Sequence, residues 1–258
     1  MKSKILITGS QGFIGKILVN KLKISEKLIL IDKKKNLSNQ KNFYQINLFN
    51  LDDLEKIFKK NKINTIIHLA SEIFDDDKNV YNYNVTTSNN LILMGQKYKI
   101  KNFIFTSTFS IFEKNYDKPI SENETPSAKN LYGKSKYEVE RILKESNLRN
   151  YIILRVPIVV GKSRSHRMGI LFEMIRNNFP LFLIGNGDNK IQFIQVDELC
   201  LIINKCLNLK KNFIFNVGTK KSFTFKENLS HIIKYSKSQS KIFNINYYLG
   251  SFALNLLI

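Results

Sequence analysis

Near its start the chain reads Ile5-Leu6-Ile7-Thr8-Gly9-Ser10-Gln11-Gly12-Phe13-Ile14-Gly15. The apolar residues predict a strand, and the periodic pattern after it predicts an amphipathic helix that begins near Phe13. Gly9 permits a sharp turn, Gly12 lets the backbone approach a pyrophosphate, and Gly15 lets the helix pack on the strand. Because a helix N-terminus also presents N–H groups, the segment predicts a phosphate-binding turn.

A second predicted strand ends in Asp32, about 20 residues beyond the turn, where an acidic side chain can accept hydrogen bonds from the adenosine ribose of a dinucleotide. A carboxylate repels the additional phosphate of NADP, so Asp32 favours NAD. Lys33, Lys34 and Lys35 follow. One of them could neutralise such a phosphate, although a solvated loop is the simpler interpretation. We therefore expect NAD as the cofactor.

Short apolar runs alternate with segments of helical periodicity, a pattern typical of repeated βαβ units and a parallel sheet. The predicted strands are 4–8, 28–32, 43–46, 65–70, 102–107 and 151–156. The predicted helices between them are 13–23, 51–60, 80–98 and 131–146. The expected fold class is therefore α/β, with a Rossmann-type doubly wound parallel sheet.

We expect the chain to divide into two parts. Residues 1–160 form the NAD-binding domain, with the strand 213–217 as a candidate to return to its sheet, and residues 161–258 form a smaller substrate-binding lobe. The predicted elements of the second part are helices 168–177, 197–207 and 225–235 and a strand 181–184. The apolar stretch 251–258 opens like a helix and then stops, so we expect a shortened lobe.

The formal net charge of +20 is the unusual bulk property of this sequence. Its lysines are spread along the whole chain, and clustered arginines, which would indicate recognition of phosphates or bases, are absent. Nucleic acid is therefore not an expected partner. A diffuse attraction for anionic substrates such as nucleoside diphosphates agrees with the charge.

No apolar run approaches the ~18 residues that a membrane span requires. The apolar stretch Ile5-Leu6-Ile7 is too short for the core of a secretory signal, so we expect a cytoplasmic protein without a membrane span. Cys200 and Cys206 are six residues apart in a predicted helix, where they point to different faces and cannot form a disulfide. Two core thiols agree with a reducing compartment.

A second motif, Tyr132-Gly133-Lys134-Ser135-Lys136, begins the helix predicted over 131–146. The four-residue spacing puts Tyr132 and Lys136 on one face of that helix. A nearby ammonium lowers the pKa of a tyrosine from its ordinary value of about 10. The tyrosine could then take up or return a hydroxyl proton while a hydride moves to or from nicotinamide.

With these motifs the chain resembles the extended short-chain dehydrogenase/reductases, in the branch of NAD-dependent nucleotide-sugar epimerases and dehydratases. Further matches are the fourth-strand motif His68-Leu69-Ala70 and, at the exit of the sixth strand, Arg155-Val156-Pro157. The resemblance implies a catalytic triad of Tyr132, Lys136 and a Ser or Thr after the fifth strand. That residue corresponds to Thr108, with Ser107 as a close competitor.

The resemblance also implies sets of binding residues. The cofactor set is Gly9, Gly12, Phe13, Ile14, Gly15, Asp32, Asn47, Leu48, Leu69, Ala70, Asn84, Tyr132, Lys136 and Pro157. Asn47 stands where the family usually has an acid, although an amide can still contact the adenine. The segment from Gly185 to Glu198 resembles the signature of the substrate lobe, and the substrate set is Ser110, Lys190 and Gln192.

Two departures from the family pattern follow the predicted fifth strand. The usual Val-Tyr-Gly is Ile111-Phe112-Glu113, so that a tyrosine hydroxyl and a flexible glycine are missing beside the substrate. Dehydratases of the family carry acidic residues directly after the catalytic threonine, whereas this chain has Phe109 and Ser110. The second departure disfavours dehydration.

Three other features have two interpretations each. His68 could act as a base or metal ligand, but a structural histidine at a strand end is the expected role. His166 follows Arg164 and precedes Arg167 in a basic loop. One interpretation is that it contacts a diphosphate, and the other is that the loop is solvated. The run Asp75-Asp76-Asp77 holds a metal or, as we expect, forms a solvated loop or helix cap. We predict no metal site.

The leading functional hypothesis is an NAD-dependent epimerase of a nucleoside-diphosphate sugar that works through a transient keto intermediate. A reductase or dehydrogenase of a keto sugar is the alternative among enzymes. A non-catalytic dinucleotide-binding sensor or scaffold is the alternative from another class, because fold alone does not fix function. The resemblance also implies a homodimer through the helices 80–98 and 131–146.

Overall fold

The computed structural model of the protein describes residues 4–22, 27–36, 40–73, 79–113, 119–161, 167–219 and 221–246. Its strands are β1 (Lys4–Thr8), β2 (Leu28–Asp32), β3 (Phe43–Gln45), β4 (Ile63–His68), β5 (Asn102–Thr108), β6 (Tyr151–Val156), β7 (Ile158–Val160), β8 (Leu181–Ile184), β9 (Lys190–Ile191), β10 (Phe193–Gln195), β11 (Phe213–Asn216), β12 (Phe223–Thr224) and β13 (Ile242–Ile245). Its helices are α1 (Phe13–Leu22), α2 (Leu51–Lys60), α3 (Asn79–Lys97), α4 (Leu131–Glu145), α5 (Arg167–Arg176), α6 (Val196–Cys206) and α7 (Phe225–Ser236). A 3₁₀ turn over Phe109–Ile111 follows β5.

The first of two compact units falls within residues 1–157 and 195–217. Its seven-stranded sheet has the order β11-β6-β5-β4-β1-β2-β3, and all of the pairings are parallel. Strands are added on one side of β1 and then on the other, so β1 and β4 meet at a topological switch point. All five residues of β2 are buried, as expected of a strand covered on both faces. The sheet confirms the predicted Rossmann-type α/β fold class.

The second unit falls within residues 158–194 and 218–258. It has a small core of Ile175, Leu181, Leu183 and Leu229, and its strands β8 and β13 pair in parallel. The expected boundary lay at residue 160, with the strand 213–217 as a candidate to return to the first part; α6 and β11 both fall within the first unit. There β11 is the edge strand beside β6, and α6 packs on α1, where Lys21 and Asp197 form a salt bridge of 2.8 Å.

The predicted strands and helices of the first unit agree with the observed ones to within two residues. The largest difference is at β4, which was predicted over 65–70 and is Ile63–His68. The chain leaves the sheet at Leu69 because the backbone N–H of Ala70 donates to Thr8 Oγ1 (3.3 Å). Within the described ranges, no helix combines the length and the apolar character of a membrane span.

A buried chain of hydrogen bonds runs through His68, the last residue of β4. Its Nδ1 lies 2.7 Å from Thr8 Oγ1, and its Nε2 lies 2.8 Å from Ser88 Oγ. Ser88 Oγ donates to the Asn84 carbonyl (2.6 Å), so Nε2 of the histidine donates and Nδ1 accepts. Burial, together with the charge of Lys136, lowers the pKa of His68 to about 3. These contacts agree with a neutral, structural histidine.

The burial of His68 predicts a pH-dependent stability. The unfolded chain protonates this ring with a pKa of about 6.5, whereas folding lowers the pKa to about 3. The unfolded state therefore binds more protons between these values, and stability falls as the pH drops below about 6.5, by about 1.4 kcal/mol per pH unit. We expect His68→Gln, which can keep a donor toward Ser88, to flatten this fall in urea unfolding. The same pH slope in both proteins would contradict the account.

Candidate active site

The turn between β1 and α1 has no room for side chains at two of its glycines. Gly9 has a φ of 67°, and a Cβ added to it would lie 2.7 Å from the backbone nitrogen of Ala70. A Cβ on Gly15 would lie 2.2 Å from the carbonyl oxygen of Gly9. The first turn of α1, from Phe13, is thereby held against the end of β1. This arrangement fits the pyrophosphate of a dinucleotide.

A groove lies beside this turn, at the carboxyl ends of β1, β2 and β4. The predicted cofactor residues that line it are Gly9, Gly12, Asp32, Leu48, Leu69 and Ala70. The remaining lining residues are Ile31, Lys33, Lys34, Ile46, Ser71, Glu72 and Tyr83. The groove thus lies at the switch point of the sheet, where ligands of doubly wound folds bind. The sequence analysis missed Ser71, Glu72 and Tyr83, although each is adjacent in sequence to a motif residue or to another lining residue.

The Asp32 carboxylate is fixed at the mouth of the groove. Its Oδ2 accepts from the backbone N–H of Gln11 (2.8 Å), and its Oδ1 accepts from that of Lys34 (2.9 Å). A carboxylate oxygen has further lone pairs, so both can still accept from ribose hydroxyls. The ammonium of Lys33 forms a salt bridge with Glu72, and this hydrogen bond raises the pKa of Lys33. Glu72 therefore neutralises one of the three lysines that could favour NADP.

The side chain of Asn84 makes three hydrogen bonds to the protein. Its Oδ1 accepts from the backbone N–H of Glu72 (2.9 Å), and its Nδ2 donates to the Glu72 carbonyl (3.0 Å) and to Ser135 Oγ (3.0 Å). With both amide hydrogens committed to the protein, Asn84 connects the loop after β4 to α4, and its assignment to the cofactor stays a prediction. The other predicted cofactor residues outside the groove lining are Phe13, Ile14, Gly15, Asn47, Tyr132, Lys136 and Pro157. Asn47 is exposed and accepts from the Phe49 backbone (3.2 Å), and Pro157 follows β6.

The motif that begins α4 brings Tyr132 and Lys136 together. Asn130 caps the helix, and its Oδ1 accepts from the backbone N–H of Gly133 (2.6 Å). The Lys136 side chain is buried, its Nζ donates to the Thr106 carbonyl (2.9 Å), and this atom lies 5.8 Å from the centre of the Tyr132 ring. Burial lowers the pKa of Lys136 to about 7, opposed by the charge of Glu140. The helix therefore holds a buried cation beside a tyrosine ring.

The two hydroxyls at the end of β5 have different environments. Ser107 is buried, and its Oγ donates to Oε1 of Glu140 (2.6 Å), whose carboxylate is in turn paired with the buried Arg155 (2.8 Å). Thr108 Oγ1 accepts from the backbone N–H of Ser110 (3.1 Å) within the 3₁₀ turn. This turn packs against α4, because a Cβ on Gly133 would lie 2.2 Å from the Ser110 carbonyl oxygen. The two hydroxyls therefore differ in their protein partners, since Thr108 Oγ1 also donates to Ser110 Oγ (3.3 Å), and the assignment of Thr108 as the third catalytic residue stays a prediction.

The predicted substrate residues are distributed over both units. Ser110 lies in the 3₁₀ turn of the first unit. In the second unit, the exposed Lys190 pairs with Thr224 across β9 and β12, and Gln192 Nε2 donates to the Thr219 carbonyl (3.2 Å). These contacts leave the assignment of all three residues to the substrate as a prediction.

The remaining candidate groups are the acidic run 75–77, His166, clusters of metal ligands and the two cysteines. The run 75–77 and His166 lie outside the described residues. Within the part of the chain that the structure describes, no three His, Cys, Asp or Glu side chains come together as metal ligands would. Cys200 and Cys206 are buried in α6, and burial raises the pKa of each thiol to about 11. Both thiols are therefore protonated near neutral pH.

Comparisons with known proteins agree with this geometry. The family model described as "NAD dependent epimerase/dehydratase family" matches residues 5–218. A putative UDP-glucose 4-epimerase of Methanocaldococcus jannaschii is 31% identical, with 90% of this chain and 81% of the relative covered. The dTDP-4-dehydro-6-deoxyglucose reductase of Escherichia coli is 29% identical, with 88% and 79% covered. The chain spans 38% and 58% of the length of two further curated relatives, less than two thirds of each.

One solved structure has the same fold as this protein over most of the length of both chains. The UDP-glucose 4-epimerase of Thermotoga maritima superposes with a TM-score of 0.80 at 25% identity, and the match covers 95% of this chain and 86% of that one. The likeness thus extends beyond the residues that the family model matches. The protein therefore belongs to the NAD-dependent epimerase/dehydratase family, whose cofactor is the one predicted from the glycine turn and Asp32.

Proposed function

We propose that the protein is an NAD-dependent epimerase of a nucleoside-diphosphate sugar that works through a transient keto intermediate. The observation that carries this proposal is the buried Lys136 ammonium beside the Tyr132 ring, on a helix whose first turn packs against the turn that follows Thr108. The relative of Methanocaldococcus jannaschii that is named as a putative UDP-glucose 4-epimerase and the UDP-glucose 4-epimerase of Thermotoga maritima support the substrate class.

When bound, NAD supplies the acceptor and donor of a hydride. The glycine turn and the first turn of α1 would hold its pyrophosphate, and Asp32 would accept hydrogen bonds from the adenosine ribose. Ile46, Leu48 and Leu69 give the same groove an apolar lining, which suits an adenine ring. The residues present therefore fit the cofactor of the family.

Tyr132 takes the proton from the sugar hydroxyl that becomes the keto group, and it returns this proton after reduction on the other face. Lys136 favours the phenolate form of Tyr132, because opposite charges attract strongly where water is excluded. The pKa of Lys136 is about 7, so its positive charge is present up to about neutral pH. Thr108 hydrogen-bonds the reacting oxygen. A non-acidic turn, Phe109–Ile111, follows Thr108, which disfavours dehydration.

A reductase of a keto sugar is the second candidate, and the reductase of Escherichia coli at 29% identity favours it. We also propose that the second unit is the substrate-binding lobe, with Lys190 and Gln192 as its substrate residues, and that Ser110 is the substrate residue of the first unit. The homodimer implied by the resemblance would use α3 and α4.

A thermal-shift panel of UDP-, GDP-, dTDP- and CDP-sugars identifies the nucleotide, because a ligand that binds the folded state raises its apparent stability.

Turnover separates the two enzymatic candidates. We expect the preferred nucleotide sugar to be converted without net change in absorbance at the reduced-nicotinamide band, since the hydride returns to the sugar. Tyr132→Phe should lower kcat by about 10²-fold or more through loss of the general base, with NAD binding preserved. Tyr137→Phe, on the same helix, is the control and should retain activity.

Two outcomes would contradict the proposed epimerase activity. A stoichiometric change in absorbance during turnover would identify a reductase or dehydrogenase. Unchanged cellular function of Tyr132→Phe, with loss of function on substitution of Gly12 or Asp32, would identify a non-catalytic sensor.

Cofactor selectivity tests the role of Asp32. We expect wild-type protein to bind NAD more tightly than NADP, and Asp32→Asn to reduce this preference by about tenfold, because a nearby charge no longer repels the additional phosphate. Isothermal titration with both cofactors measures the ratio. Asp53→Asn, which makes the same change at an exposed position of α2, should leave the ratio as it is. A preference unaffected by Asp32→Asn would show that other residues select the cofactor.

A further inference from the structure

We propose that Glu113 is a positioning residue that fixes the start of α4, and with it Tyr132, onto the turn that carries Thr108. The inference rests on the proposed function, since that function gives Tyr132 and Thr108 their roles. Glu113 stands where the resembled family usually has glycine, so the contact is a property of this chain.

The carboxylate of Glu113 binds the segment that leads into α4. Its Oε2 accepts from the backbone N–H of Lys129 (2.9 Å), and its Oε1 accepts from the backbone N–H of Asn130 (3.0 Å) and from the Asn130 side-chain amide. The backbone N–H of Glu113 donates to Ser127 Oγ (3.3 Å). One residue thus connects the end of the 3₁₀ turn to residues 127–130.

These contacts act on the residue that starts the helix. Asn130 is the N-cap of α4, and its Oδ1 accepts from the Gly133 backbone N–H. By accepting from Nδ2 of the same amide, Glu113 holds the cap in the orientation that points Oδ1 at Gly133. Hydrogen bonds from N–H groups to a carboxylate are stronger than those between neutral groups. The N-terminal end of the helix also attracts a negative charge.

The same two segments touch directly through their backbones. The backbone N–H of Ser127 donates to the Ile111 carbonyl (2.7 Å), and Gly133 lies so close to the Ser110 carbonyl that no Cβ fits between them. Tyr132 lies between the capping Asn130 and this contact. The contacts of the turn 110–113 with the segment 127–133 thus lie on both sides of Tyr132 in the sequence, and the Glu113 carboxylate provides part of them. We call this set of contacts the clamp.

Thr108 is bonded to the same turn, at the N-terminal end of the turn. Its Oγ1 caps the 3₁₀ turn by accepting from the Ser110 N–H, so both catalytic hydroxyls are positioned relative to residues 109–113. Catalytic groups must be held to within about 0.5 Å, and a misplacement of about 1 Å can cost about 10²-fold in rate. The clamp therefore affects catalysis although Glu113 itself need not contact the substrate.

The test compares Glu113→Gln and Glu113→Gly with wild-type protein. The glutamine keeps the size of the side chain but replaces an acceptor oxygen with a donor, and the glycine restores the residue usual in the family. We expect amide hydrogen exchange at Lys129, Asn130 and Gly133 to become about tenfold faster in both variants. This measurement requires neither substrate nor cofactor.

Kinetics provide the second measurement. We expect kcat per bound NAD to fall by about tenfold or more in both variants, with the KM for the sugar and the NAD content of the purified protein unchanged. Glu145→Gln is the matched control, because Glu145 lies on the same helix and pairs at the surface with Arg141. It should leave both exchange and kcat at the wild-type values.

The outcomes separate the clamp from the proposed function. Unchanged exchange at the three amides would overturn the proposal, as would faster exchange with an unchanged kcat. Activity per protein that falls only in proportion to the NAD content, with kcat per bound NAD unchanged, would also overturn it, because it would report loss of folded protein. Wild-type protein inactive on every nucleotide sugar would refute the proposed function, while exchange would still decide whether Glu113 holds the start of α4.

Discussion

The burial of the Lys136 ammonium beneath Tyr132 is the constraint on which the rest of the site depends. A buried cation is costly unless polar partners compensate it. Here the Thr106 carbonyl accepts from Nζ, and the Phe105 ring lies 4.7 Å from the same atom. Both partners belong to β5, so α4 has to lie close against this strand. Ser135 of the same helix is fully buried, and the missing side chain of Gly133 lets α4 approach Ser110 in the turn after β5.

Buried polar contacts extend this constraint to the dinucleotide groove. Ser135 Oγ donates to the Tyr132 carbonyl (2.8 Å) and accepts from Asn84, which holds the loop after β4. The carbonyl of Asn84 accepts from Ser88, and His68 continues the chain to Thr8 at the end of β1. Helix α4 and the glycine turn after β1 are therefore connected to one another through side chains that have protein partners. Such networks specify a single arrangement when every member is paired.

The sequence was sufficient for features that depend on local spacing, and insufficient for those that depend on distant contacts. The glycine turn, Asp32 and the Tyr132–Lys136 pair are recognisable because turn chemistry and helix periodicity act over a few residues. The hydrogen bonds of Asn84 to the protein were not predicted, because its partners, Glu72 and Ser135, are 12 and 51 residues away. Glu113, 17 residues from Asn130, was seen only as the loss of a glycine. The packing of helices and strands determines which side chains come into contact across such separations. A spacing pattern in the sequence carries no information about this packing.

The pH dependence of kcat in wild-type protein and in Lys136→Met tests the central claim most directly. Tyr132 must lose its proton to act as the base, so activity rises with pH through the pKa of this phenol. With the buried ammonium present, the rise should lie well below the ordinary tyrosine pKa of about 10. Without the ammonium it should move toward that value, with a large loss of activity at neutral pH. A rise at the same pH in both proteins would show that Lys136 does not set the ionisation of Tyr132, and the account of the site would be wrong.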